Sequence, residues 1–349
     1  MLSQLLAFCR QDELARLENT LTQQQLTLVA VTEIEQGLSN HSVKLTTLNN
    51  QDVQCDYLLR INSPVTDVIC NRDNEIACWR AAEGAGLAPK LYWIDENKRF
   101  YLAEWIDEDC AAYSQLQPWQ QFASNGERVS SDEIAALTKR ANNSAVSLAA
   151  VEPTEQAAVD MLLDLLFGLR QLPAPALDIS IELQWHIYLA RLEQMATEQN
   201  FVQADAAEWL ARLRTLQQFK VQPIFDALNR VLLQHQYCHR DLSATNLLLR
   251  DKQLFCIDFE YCCSSHPLFE LAGVVATHRF SPVARQQLMW RYLEQHPCVT
   301  ADAIRAMPAA FDIFWLYSCA WALQMADGQC KDGRELFAWF DNYLQLVGK

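Results

Sequence analysis

The chain is short of several features that would place it at once. No segment is dominated by Gly, Ser or Pro, which excludes a disordered linker or a fibrous repeat, and there is neither an internal repeat nor a low-complexity tract. Its 12 cysteines are scattered, contain no C-x-x-C pair, and include the adjacent Cys262 and Cys263, which make a poor zinc corner. They read as reduced thiols. No uninterrupted apolar run reaches the ~18 residues of a membrane span. The opening MLSQLLAFCRQDELARLENT places acids close behind its apolar residues, so it reads as an amphipathic helix rather than a secretory signal, and a cytoplasmic protein without a membrane partner is expected. Basic charge is also scarce. With 28 Lys and Arg against 43 Asp and Glu, the formal net charge is -15, which argues against a sequence-independent nucleic-acid binder and favours cationic partners, although a solvated acidic surface explains the same number.

What is present is a folded composition, half apolar and 20% charged, at a length of 349 residues that suits two lobes. Residues 26 to 106 read as short strands, LTLVAVTEI, HSVKLTTL, DYLLRI, KLYWI and RFYLAEWI, with one helix over Asn74 to Glu83 before the last two. Alternation and β-branched content predict an antiparallel sheet. From about residue 130 the pattern becomes helical, as in EQAAVDMLLDLLFGLRQL, IELQWHIYLARLEQMATE and QPIFDALNRVLLQHQ. The fold class expected is α+β and bilobal: a sheet lobe over 1–107, a connection and insertion over 108–153, and a helical lobe over 154–349.

Chemistry concentrates in YCHRDLSATNLLLRDKQLFCIDFEY, residues 237–261. Two apolar strands joined by the polar turn Arg250 to Gln253 predict a hairpin, which sets Asn246 almost opposite Asp258 at its open end, with Asp241 five residues before Asn246. An amide and a carboxylate are hard oxygen donors suited to magnesium, and a further carboxylate can take the proton of an attacking hydroxyl. Each residue alone is more often a turn or cap residue; the series H-x-D-x-x-x-x-N, hairpin, Ile-Asp is not.

CHRDLSATNLL resembles the catalytic loop of the kinase-like phosphotransferases that include choline and ethanolamine kinases, thiamine kinase and the aminoglycoside phosphotransferases. CIDFEY is most similar to the choline kinase form of the metal-binding strand. The resemblance implies a bilobal protein kinase-like fold, ATP and Mg2+ as cofactors, Asp241 as base, and Asn246 and Asp258 as metal ligands. His239 and Glu270 would brace the loop. IEQGLSNHSVKL resembles the phosphate loop, with Gly37, Ser39 and Asn40 at the phosphates; a simple hairpin turn explains it equally well. Arg60 sits where these enzymes place a phosphate-binding cation, with Glu75 as its ion-pair partner, and Glu104, Trp105 and Ile106 would lie near adenine.

For the acceptor, the resemblance points to Glu260 and Tyr261 and to Trp315, Tyr317 and Trp321 on a late helix, enclosing a cationic head group by cation-π contact. Plain core packing is the commoner use of such aromatics. Two departures stand out: LRQLP at Leu169 to Pro173, where LHxLP is frequent, and Arg240, where choline kinases tend to have Asn. The expected activity is phosphorylation of a small cationic alcohol, choline or ethanolamine, or thiamine. Alternatives are an aminoglycoside phosphotransferase and a catalytically inactive pseudokinase that serves as a binding module.

Overall fold

The computed structural model describes residues 2–34, 40–63, 70–108, 119–124, 126, 128–143, 148–198, 206–326 and 333–348. The chain divides into two compact units, one formed by Met1–Pro118 with Leu248–Tyr261 and the other by Trp119–Leu247 with Cys262–Lys349.

In the first unit, β1 (Thr27–Ile34), β2 (His41–Leu48), β3 (Gln54–Ile61), β4 (Leu91–Ile94) and β5 (Phe100–Glu104) form an antiparallel sheet of order β1-β2-β3-β5-β4. Strand periodicity sets its faces: Val43 and Leu45 on β2 and Leu59 and Ile61 on β3 turn to the same core. The sheet carries two helices, the one expected between its strands and the amphipathic helix expected at the start of the chain, whose packing on the sheet the sequence did not show. Helix α1 (Gln11–Gln23) lays Leu14, Leu17 and Leu21 on that core, a spacing that repeats one helix face. Helix α2 (Arg72–Gly84) is capped by Asn71, whose side chain accepts from Asn74 N. Its buried stripe of Arg72, Glu75, Cys78, Trp79 and Ala82 begins with an arginine and an acid.

The hairpin expected around residue 250 is present as β7 (Leu247–Arg250) and β8 (Gln253–Cys256). Asp251 and Lys252 both have positive φ (52° and 62°), the signature of a two-residue turn whose twist suits paired strands. Asn246 and Asp258 stand just outside its two ends along the chain, and Asn246 belongs to the second unit.

The second unit is helical: α3 (Ser131–Asn142), α4 (Pro153–Leu169), α5 (Ile181–Glu198), α6 (Ala206–Gln217), α7 (Gln222–Val231), α8 (Pro267–Thr277), α9 (Pro282–Leu293), α10 (Met307–Met325) and α11 (Gly333–Leu346). Helix α10 is its axis, packed by α5, α6, α7, α8 and α11. Together with the turn before it, α10 is long and apolar enough to cross a membrane by composition, a possibility that counting uninterrupted apolar runs missed because Asp312, Ser318 and Gln324 break the run. Most of that segment is buried in the core of the unit, the ordinary place for such a helix. A short ladder pairs β6 (Gln236–Cys238) with β9 (Cys263–Ser265) and fixes the chain entering the loop at His239. The ten described cysteines are free.

Candidate active site

In the second unit, β6 ends at Cys238 and the chain turns sharply at Arg240, whose φ is +69°. A left-handed arginine costs about 1–3 kcal/mol. The turn is held by Glu270, buried in the first turn of α8, whose carboxylate oxygens accept His239 N at 2.9 Å and Arg240 N at 2.7 Å. Two backbone hydrogen bonds to one carboxyl contribute about 0.5–1.5 kcal/mol each, and more when the group is ionised, which offsets the strain. Burial pushes the Glu270 carboxyl up to about 7, against the lowering effect of those backbone donors and of Arg240.

Beyond the turn, Asn246 Nδ2 donates to Asp241 Oδ2 at 2.7 Å and to Asp241 O at 3.0 Å. The amide thereby orients the carboxylate and keeps its own carbonyl oxygen as an acceptor or ligand atom. The Arg240 side chain lies over Phe269 (4.7 Å) and Tyr317 (5.9 Å) and donates to Gln184 Oε1 at 3.1 Å. Arginine at this position is thus a packing element whose charge rests on aromatic faces.

The first unit holds a charge cluster. The buried Arg60 on β3 meets Glu75 Oε1 at 3.0 Å, Asp258 Oδ1 at 3.0 Å and Glu260 Oε2 at 3.4 Å. Burial opposes the arginine's charge, but the Asp258, Glu75 and Glu260 carboxylates prevail and its pKa rises. Glu75 is shared with Arg72 Nη1 (2.8 Å) and accepts from the Tyr101 hydroxyl (3.1 Å). Phe259 stacks on Trp79 at 5.6 Å, and its two neighbours, Asp258 and Glu260, both reach Arg60. Asp258 is in the left-handed region (φ +67°), and its Oδ1 is the atom that meets Arg60. Glu260 is raised by burial and by the Asp258 charge, which outweigh Arg60 and Asn40.

The remaining expected residues fall as follows. Gly37 and Ser39 lie outside the described residues. Asn40 is buried, donating to Glu260 Oε2 at 3.1 Å and accepting from Ser63 N at 3.1 Å, so it ties elements together. Glu104 pairs with Arg250 at 2.8 Å, Trp105 donates to Asp107, and Ile106 is buried. Tyr261 is half-buried after the hairpin. Of the three α10 aromatics, Tyr317 and Trp321 are four residues apart and lie on one face, whereas Trp315, two residues before Tyr317, points to the other side, because helical residues advance about 100° each. Trp315 stacks on Tyr343 (5.4 Å), Tyr317 meets Trp185 and Tyr188 (6.1 and 5.5 Å), and Trp321 stacks on Trp339 (6.2 Å). A cage made from all three is not what the helix presents.

Sequence reasoning missed Arg72. It lies one helical step before Glu75, a spacing that marks an ion pair on a helix face.

The model of the APH phosphotransferase enzyme family matches residues 30–302, more than half of the chain. The chain belongs to this family. Over 71 residues it is 35% identical to Protein LicA of Haemophilus influenzae, a match covering 20% of the chain and only 26% of that relative's length. Among solved structures, the choline kinase LicA from Streptococcus pneumoniae aligns with a TM-score of 0.61 at 14% identity, covering 96% of this chain and 99% of that one. A choline/ethanolamine kinase family protein from Mesorhizobium loti aligns with a TM-score of 0.56 at 17% identity, covering 92% and 89%. At such identities the likeness establishes the fold, which is protein kinase-like, and family membership makes the chain a phosphotransferase of the small-molecule kinase kind.

Proposed function

We propose that this phosphotransferase moves the γ-phosphate of MgATP to the hydroxyl of a small cationic alcohol, choline or ethanolamine first and thiamine next. The observation that carries the reading is Asp241, a carboxylate fixed by an amide five residues on and set in a loop whose backbone is clamped by a buried acid. A base held in this way receives the acceptor's proton without reorganising, which is how a kinase of this type lowers its barrier. Arg60 then supplies cationic charge for phosphate oxygens, and Glu75 keeps it in place.

The donor set fits magnesium. Among the described residues, no group of three or more His, Cys, Asp or Glu could form a metal cage, and magnesium does not need one: it is bound through one or two carboxylates with the substrate's phosphates. The carbonyl of Asn246 and the carboxylate of Asp258 are the hard oxygens that would hold it, and the ion would neutralise phosphate charge there. A cationic acceptor is supported by the excess of 43 acids over 28 bases, and a reducing, cytoplasmic compartment by the free cysteines.

ADP release measured with choline, ethanolamine, thiamine and an aminoglycoside panel, with and without Mg2+, tests the reading. Acceptor-dependent release with a small alcohol is expected. Release only with aminoglycosides moves the chain to that branch of the family, and release with none makes it a binding module.

A further inference from the structure

One carboxylate in the first unit serves two buried arginines, and its two oxygens are held unequally. Glu75 Oε1 meets Arg60 at 3.0 Å. Oε2 meets Arg72 Nη1 at 2.8 Å and accepts from the Tyr101 hydroxyl at 3.1 Å and, at a longer 3.6 Å, from the Cys70 thiol. Glu75 is fully buried, so bulk water takes no part in holding it. The last torsion of a glutamate is broad, and two arginines on opposite oxygens leave the carboxylate able to rock between them. The further donors on Oε2 stop that motion, and with it they set the direction in which Oε1 faces Arg60.

Tyr101 owes this place to strand register. It is the Cα partner of Arg60 in the β3 and β5 ladder, so both side chains leave the same face of the sheet, opposite the core residues Leu59, Ile61, Phe100 and Leu102. The Tyr101 ring lies 5.9 Å from the Arg60 guanidinium, at the outer edge of cation-π contact. Helix α2 holds that ring in turn. Trp79 meets it edge-on at 6.1 Å and 74°, and the Trp79 indole is itself anchored by donating to Pro89 O at 2.8 Å. Burial first, and the Glu75 charge next, push the phenol up, which keeps the hydroxyl a donor. Phenylalanine would fill the same buried space, so what tyrosine adds there is the donor alone.

We propose that Tyr101 is a positioning residue for the nucleotide: its hydroxyl locks the Glu75 carboxylate, and Glu75 in turn aims the Arg60 guanidinium at phosphate oxygens. The inference rests on the kinase reading above, which gives Arg60 to phosphate, and adds the residue that decides how well Arg60 is prepared for it. Arg60 then meets the phosphates without first reorienting, and the gain is confined to the part of the nucleotide that carries charge.

The test is equilibrium binding, which needs no acceptor: ATP with Mg2+, and separately adenosine, are titrated into wild type and Tyr101→Phe. The ATP Kd is expected to rise by about five-fold or more in the variant, while adenosine, which carries no phosphate, binds within about two-fold of wild type. A merely structural role would weaken both alike. In a Glu75→Gln background the same tyrosine change is expected to add less than about two-fold, because the hydroxyl acts through that carboxylate. Unchanged ATP affinity, an equal loss of ATP and adenosine, or a full effect in the Glu75→Gln background each overturns the proposal and leaves the kinase reading intact. If Tyr101→Phe does not fold, Glu75→Gln alone must weaken ATP by about five-fold more than adenosine, and an unchanged ratio overturns the proposal. Wild type that binds no ATP removes the kinase reading itself, and this proposal with it.

Discussion

The two units hold their functional groups by opposite means. In the first, Arg60 is fixed by charge: three carboxylates surround it, and one of them, Glu75, is shared with a second buried arginine. In the second, Asp241 is fixed by backbone and amide hydrogen bonds, with a single buried acid clamping the loop. A buried ion cluster is weak as a source of stability, because desolvation offsets most of its Coulomb attraction. Under the proposed function its presence makes sense, because a cation must be held for phosphate. On the same reading the loop needs the reverse, a charge that is positioned yet able to take a proton, and neutral donors do that without pinning it to an opposite charge.

The contrast breaks most visibly at the base. Asp241→Asn keeps the bond geometry but removes basicity, and kcat is expected to fall by about a hundred- to ten-thousand-fold while ATP affinity, read by equilibrium titration, stays within about two-fold. Wild-type turnover in that variant would show that the loop positions something else. Next comes the cluster. Glu75→Ala leaves Arg60 and Arg72 buried without their shared partner, and a loss of about 3–5 kcal/mol in unfolding free energy is expected, together with a raised ATP KM. A denaturant titration that moves by less than 1 kcal/mol would mean that Asp258 and Glu260 suffice.

How much of this was legible before the structure depended on sequence distance. The sheet, most of the helices and the hairpin follow from local periodicity, and His239, Asp241, Asn246 and Asp258 lie within 20 residues, so order and spacing displayed them together. Arg60 and Glu75 were readable as a pair because a strand and the helix after it repeat a known arrangement. The bond from Asn40 to Glu260 spans 220 residues, and nothing local announces it. The α10 aromatics show the opposite error: of three residues close in sequence, Trp315 points away from Tyr317 and Trp321, since a helix separates what a list of neighbours joins.

Acidity sharpens the comparison further. Glu270 is raised from 4.5 to about 7 by burial, so its contribution to stability is fully present below pH 4.5 and is lost as pH rises through about 7. Glu270→Gln removes that titration. Thermal melts of both proteins at constant ionic strength should show wild type losing ground to the variant as pH rises from 4.5 to 7, with the difference level above that window. Parallel curves would mean that the backbone donors hold the acid ionised throughout.

The smallest effect belongs to the pair that looks most like the Arg60 cluster on paper. Arg250 meets Glu104 at 2.8 Å, shorter than any Arg60 contact, but both side chains are about a third exposed. Water already solvates each charge, so bringing them together replaces one good environment with another and orders two long side chains. Arg250→Ala is therefore expected to shift unfolding free energy by only about 0.2–1 kcal/mol, and less in high salt, where exposed pairs are screened. A loss on the scale of Glu75→Ala would show that Arg250 matters through its packing on Phe255, 4.8 Å from the ring centre, and that contact distance alone says little about which ion pairs a fold depends on.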